Sequence, residues 1–178
     1  MSKLLFGLVL AFLSCCFSYA GNYLYWEELC DSSKSETIKS LNVDVNIEKL
    51  YLHQISLSDD SLSVVILDTL CVLSEGNKRM LYFYLMNDII KHADGALSEM
   101  LGGYCYRFVV NAPDYVLAYL SKNRKIASEY ITLIAAELYY NDYTITDFKN
   151  LISSSVQNSE YLQVFCKEIE CKLMMLNE

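Results

Sequence analysis

A chain of 178 residues, 53% of them apolar, has the length of one domain and enough apolar material for a sizeable core. Its 14 Lys and Arg stand against 22 Asp and Glu, for a formal charge of −8. That balance argues against nucleic acid or an anionic membrane surface as a partner, since both demand a cationic face, and it suits solubility or a basic partner.

Part of the apolar excess lies in residues 1–20. Lys3 supplies a positive start, residues 4–17 are continuously apolar with small residues admixed, and Ser18-Tyr19-Ala20 places small side chains at both recognition positions. This pattern predicts a secretory signal peptide cut between Ala20 and Gly21, leaving residues 21–178 as a single periplasmic or extracellular domain. An uncleaved anchor is the less favoured reading, because the run is short for a bilayer and a cleavage site follows at once. A lipoprotein anchor at Cys15 or Cys16 is a further alternative: Leu13-Ser14-Cys15-Cys16 approaches the Leu-small-small-Cys form but lacks the favoured Ala or Gly before the modified cysteine. Lys3 is the only charged residue in the leader, so cleavage makes the domain slightly more acidic still. The next most apolar run, residues 62–73, is short and holds Asp68, so no integral membrane segment is expected after cleavage.

Taken in order, residues 23–30 read as an aromatic lead-in, with Trp26, the one tryptophan, holding it to the body. Ser33-x-x-Glu36 resembles a capping box and predicts a short helix to Leu41. A turn and a helix over 45–55 follow, then a polar loop ending in Asp59-Asp60, residues that favour helix starts. The next helix, 61–73, is apolar nearly all round, which predicts a central position covered on several sides. A buried strand over 62–67 is its rival, since β-branched residues are dense there. Gly76 suits a left-handed stop. Helices over 78–92 and 94–110 come next, with Asp94 and Gly95 marking the cap or kink between them.

The junction at 110–114 is the most legible point in the chain. Pro113 ends the first helix near Val110 and starts the second, with Asn111 as the expected N-cap and Asp114 in the first turn. Upstream, Leu97, Leu101, Tyr104, Cys105 and Phe108 form a stripe at helical spacing; downstream, Tyr115 or Val116, Tyr119 and Leu120 form the partner face. Gly102-Gly103 lies within a helix, not between a strand and a helix, and predicts close approach of a neighbouring helix. Residues 121–125 carry the one basic cluster of note. Helices over 126–139, from a Thr144 or Thr146 cap to about Ser155, and over 159–176 complete the chain. The expected fold class is all-α: eight or nine helices in an irregular bundle or a short stack of helical hairpins, with no linker to divide it.

Catalytic and metal signatures are sparse. His53 and His92 belong to no His-x-x-x-His pair, and no Cys-x-x-Cys occurs, so no cofactor or metal is expected. Asp88 and His92 are one helical turn apart and can pair. Glu99 and Glu137 border apolar stripes and, if both face inward, could support acid–base work or a cation; a small hydrolase would use Glu99, Glu137 or His92. Five cysteines lie beyond the leader: Cys30, Cys71, Cys105, Cys166 and Cys171. Export predicts that some form a disulfide, although Cys166 and Cys171, about 140° apart on one helix, should not pair. The compositional outlier is tyrosine, at 15 residues. Tyr82, Tyr84, Tyr104, Tyr106, Tyr139, Tyr140 and Tyr143 fall on more than one helix face and cannot share a single core stripe. Tyrosine combines contact area with a hydroxyl, so these residues form the expected interaction surface. The sequence thus points to an exported helical module that binds another protein. A narrower version is a periplasmic immunity or inhibitor protein against a secreted toxin, whose size, export and helicity it would share. A small hydrolase and a carrier of an apolar ligand are the competing classes.

Overall fold

The structure, a computed structural model, describes residues 23–156 and 159–177. The leader, its cleavage site and the Cys15 and Cys16 alternative lie outside these residues. The described chain holds nine α-helices and no strand, an irregular bundle as expected. A short 3₁₀ turn, Trp26–Glu28, precedes α1 (Asp31–Leu41), α2 (Val45–Tyr51), α3 (Ser61–Leu70), α4 (Gly76–His92) and α5 (Gly95–Asn111). After them come α6 (Pro113–Lys122), α7 (Arg124–Tyr140), α8 (Ile145–Ser153) and α9 (Ser159–Leu176). Among the described residues no helix is long and apolar enough to cross a membrane.

Side chains that accept a backbone N–H open four of the helices. Asp44 accepts from Asn46, Asp60 from Ser63, Asp94 from Leu97 and Thr144 from Asp147, each satisfying an amide that the helix cannot. The organising element is α7, which packs most extensively against α5 and α9. Its buried residues fall in two adjacent rows, Ile126, Tyr130, Ile134 and Leu138 beside Ala127, Ile131 and Ala135. That apolar face is wide enough to serve two partners. Gly102 explains how close α5 comes: a Cβ there would meet the Leu133 carbonyl oxygen at 2.8 Å and the Glu137 Cβ at 3.2 Å. At Gly103 the nearest atoms are the Glu137 carboxylate oxygens at 3.4 Å. The expected close approach is present, and Gly102 is the residue that permits it.

Several local expectations give way to tertiary contacts. Asn111 is the last residue of α5, not the cap of α6. Its amide instead donates to the Cys71 carbonyl at 3.0 Å, tying the end of α3 to α5, and Ala112 takes the cap position with Pro113 in the first turn of α6. Helix α1 begins at Asp31, so Ser33 lies inside it, and α2 ends at Tyr51, with His53 following in the left-handed region (φ +53). Gly76 also has φ +56, but it opens α4 where a helix stop was expected. The largest departure is α3, which is peripheral: it packs on α4 and buries only Ser63, Ile66, Leu67 and Leu70.

The lead-in is held by tyrosines. Tyr23 donates to Asp114, Tyr25 to the Tyr115 carbonyl at 3.1 Å, Tyr115 to the Leu24 carbonyl at 3.3 Å and Tyr119 to Glu27 at 2.9 Å. Tyr25 packs tilted against Tyr115 and edge-on against Tyr119 with centroids 4.9 and 4.8 Å apart, and Phe83 meets both edge-on. Trp26, 1% exposed, packs edge-on against Tyr51 at 5.8 Å and beside Tyr84. Each of these four hydroxyls finds an acceptor at the margin of the core while its ring fills space, as suits a side chain with an apolar body and a polar tip. Burial and the adjacent Asp114 push the Tyr23 hydroxyl up to about 12; burial likewise raises Tyr25, Tyr115 and Tyr119. The clamp stays protonated at neutral pH.

Candidate functional site

The outer face of α3 is the most distinctive surface. A helix apolar nearly all round has only one side against the body, so Leu62, Val64 and Val65 face solvent. The chain that follows adds Val72, 59% exposed, and Leu73, 72% exposed. Leu62 and Val65 stand one helical turn apart and form a ridge on α3, which ends at Leu70 before Val72 and Leu73. The ridge is braced from behind by three contacts to α5. Asn111 holds the Cys71 carbonyl, Arg107 pairs with Asp68 at 2.9 Å, and the Cys71 thiol reaches the Tyr104 carbonyl at 3.7 Å. Acids border it: Asp59, Asp60 and Glu75 are exposed at its two ends. The backbone N–H and hydroxyl of Ser63 hold the Asp60 carboxyl below its ordinary range, which keeps Asp60 charged at neutral pH.

The seven tyrosines expected to form a surface are placed in separate settings. Tyr82 is 2% exposed and belongs to the core. Tyr84 is half-buried beside Trp26. Tyr104 and Tyr106 point to different sides of α5, both half-buried: Arg107 lies over the Tyr104 ring at 5.1 Å, while Tyr106 packs on Tyr143 and Phe148. Tyr139, Tyr140 and Tyr143 are exposed near the end of α7, with the rings of Tyr139 and Tyr140 5.4 Å apart. Tyrosine abundance alone could not separate these roles, because clamp, core and surface all use the same side chain.

The expected disulfide is overturned. Cys30, Cys71, Cys105, Cys166 and Cys171 are all free, with no two sulfurs at bonding distance among the described residues. The helical frame separates them: Cys30 and Cys171 are exposed, whereas Cys71, Cys105 and Cys166 pack inside as small apolar groups. Burial pushes the Cys71 thiol up to about 12 and Cys166 to about 11, and raises Cys105 strongly. Cys30 behaves in the opposite way. It stands at the N-cap of α1 with its sulfur 3.1 Å from the hydroxyls of both Ser32 and Ser33, and these donors lower it from 9.0 to about 7. Iodoacetamide labelling followed by peptide mass spectrometry should find Cys30 half-maximally reactive near pH 7 in the folded protein. A Ser32→Ala, Ser33→Ala variant should move that midpoint up towards 9; an unmoved midpoint would remove the hydroxyls from the explanation.

The candidate catalytic groups are not assembled into a site. Glu99 is exposed on α5, Glu137 lies across Gly102 and Gly103, and the His92 Nδ1 is bound to its own helix at the Asp88 carbonyl, 2.8 Å away. The expected Asp88 to His92 pairing is present, with 3.5 Å between Nδ1 and the carboxylate. Both histidines line one cleft of about 440 Å³ with Asp88 between α2 and α4. Among the described residues no group of three His, Cys, Asp or Glu side chains is placed to hold a metal ion. Comparison of the chain with protein-family models, with curated proteins and with solved structures found no match in any of the three.

Proposed function

We propose that this is an exported module that binds another protein through the outer face of α3, and that its partner presents an apolar ridge flanked by Lys or Arg. The observation that carries the reading is the set of exposed aliphatic side chains Leu62, Val64 and Val65 on α3, with Val72 and Leu73 just after it, on a segment tied to α5 by Asn111 and Arg107. Contiguous exposed apolar surface rimmed by charge is characteristic of interaction sites, and a pre-set backbone lowers the entropy lost on docking. The acidic rim and the formal charge of −8 favour a basic-edged partner. They disfavour a second copy, whose rim would meet this one with like charge.

The test is recovery of partners from the native compartment on immobilised protein, followed by binding of the purified partner to wild type and to a Val65→Asp, Leu73→Asp variant. Both side chains are exposed, so the fold should survive, with an unchanged melting temperature as the check. The expected result is a loss of affinity of tenfold or more, since central contacts of an interface are worth about 2 kcal/mol each, together with weakening at high salt. Equal binding by the variant would remove α3 from the interface. A concentration-dependent dimer abolished by the same substitutions would replace the heterologous partner with a second copy.

A further inference from the structure

At the other end of α5 lies a cleft of about 530 Å³, where the end of α4, the start of α5, the end of α6 and the first turn of α7 converge. Scarce basic residues gather here: Lys91, Arg124 and Lys125 all line it. Lys91 and Lys125 are exposed, and among the described residues no carboxylate lies within 4.0 Å of either ammonium. Arg124 is steadied from the far side, by Glu168 of α9 at 3.5 Å and by the Tyr161 ring at 6.0 Å. The wall beneath these cations is apolar, made by Ile90 and Ile126 with the Tyr119 ring.

The local backbone supports the same polarity. Asn123 occupies the N-cap of α7, but its amide donates to the Tyr119 carbonyl at 2.9 Å, so no side chain accepts from the opening amides of that 17-residue helix. Its positive end adds to the three cations. Glu129 is the single acid lining the cleft. With Arg124 already paired to Glu168, the cleft sets Lys91 and Lys125 against the single Glu129 carboxylate, a local reversal of charge in a chain where acids outnumber bases. A volume of this size, part apolar and part cationic, matches a small organic molecule better than a bare ion or a macromolecule. The cleft is also remote from the α3 ridge. Ser98 lines it from the first turn of α5, whereas Asn111, which braces α3, is that helix's last residue, roughly 20 Å away at 1.5 Å per residue.

We propose that this cleft is a binding site for a small amphipathic organic anion, a carboxylate or sulfonate head carried on an apolar body. The head lies against Lys91 and Lys125 and the body against Ile90 and Ile126. Anilinonaphthalene sulfonate serves as the probe, titrated by fluorescence into the purified protein, with decanoate and inorganic phosphate as competitors. The expected result is one saturable site, displaced by decanoate far better than by phosphate, and weakened about tenfold in a Lys91→Ala, Lys125→Ala variant of unchanged melting temperature. A Val65→Asp variant should leave it unchanged, which separates this site from the α3 face. Binding within twofold of wild type after loss of both lysines would overturn the proposal. So would loss of binding in the Val65→Asp variant, or displacement by phosphate as strong as by decanoate.

Discussion

Replacing Trp26 with alanine should lower the melting temperature by about 10 °C, from a loss of about 3–5 kcal/mol for emptying a buried tryptophan site. Trp26 is only 1% exposed and fills the space between the lead-in, Tyr51 and Tyr84, so its removal leaves a void that the surrounding rings cannot close without moving. Thermal unfolding followed by circular dichroism measures it, with Tyr140→Ala, at a 78% exposed position, as a comparison that should shift the curve by no more than about 2 °C. A Trp26→Ala shift as small as that of Tyr140→Ala would mean that the lead-in does not dock. The same clamp has a pH signature. Because the Tyr23 hydroxyl rises from 10.0 to about 12 in the folded chain, its contribution is complete below pH 10 and is lost as pH climbs from 10 towards 12. Between neutrality and pH 9 the clamp should not respond.

Gly102 and Gly103 should respond to the same substitution with opposite sign. At Gly102 a new Cβ meets a backbone oxygen at 2.8 Å, which no side-chain rotation relieves, so α5 and α7 must separate. Gly102→Ala should cost about 1–2 kcal/mol even after the ~1 kcal/mol helix-propensity gain, and Gly102→Leu about 3 kcal/mol or more. At Gly103 the obstacle is the flexible end of Glu137 at 3.4 Å, an ordinary contact. Gly103→Ala should therefore stabilise by up to about 1 kcal/mol. Chemical denaturation of the three variants checks this. Two alanine variants that shift in the same direction would show that the interhelical gap is not set at Gly102.

The helices themselves were legible because the signals that mark them are local. Asp60, Asp94 and Thr144 cap where the sequence places caps, and of the stripe Leu97, Leu101, Tyr104, Cys105 and Phe108 all face inward as their spacing requires except Tyr104, which is half-buried. What local signals could not supply was the assignment of a helix to the centre or the edge. An all-round apolar pattern predicts full cover for α3, yet α7, with its two apolar rows, takes the central place, and the aliphatic residues of α3 point outward. Asn111 misled for a related reason: cap and long-range tether need the same amide, and only the position of Cys71 decides between them. The cationic cleft was half visible. The cluster at 121–125 could be read, but Lys91 and the apolar wall join it only through the fold.

The clasp on the lead-in also fixes an order of events. Tyr23, Tyr25 and Glu27 find their partners on α6, about 90 residues further along the chain. At a synthesis rate of roughly 5–20 residues per second, those partners emerge about 5–20 s later. Throughout that interval the hydroxyls of Tyr23 and Tyr25 lack their native partners, whereas Trp26 can already meet Tyr51 and Tyr84, which precede α6 in the chain. The first described stretch to leave the ribosome waits for a clasp from the far half of the chain.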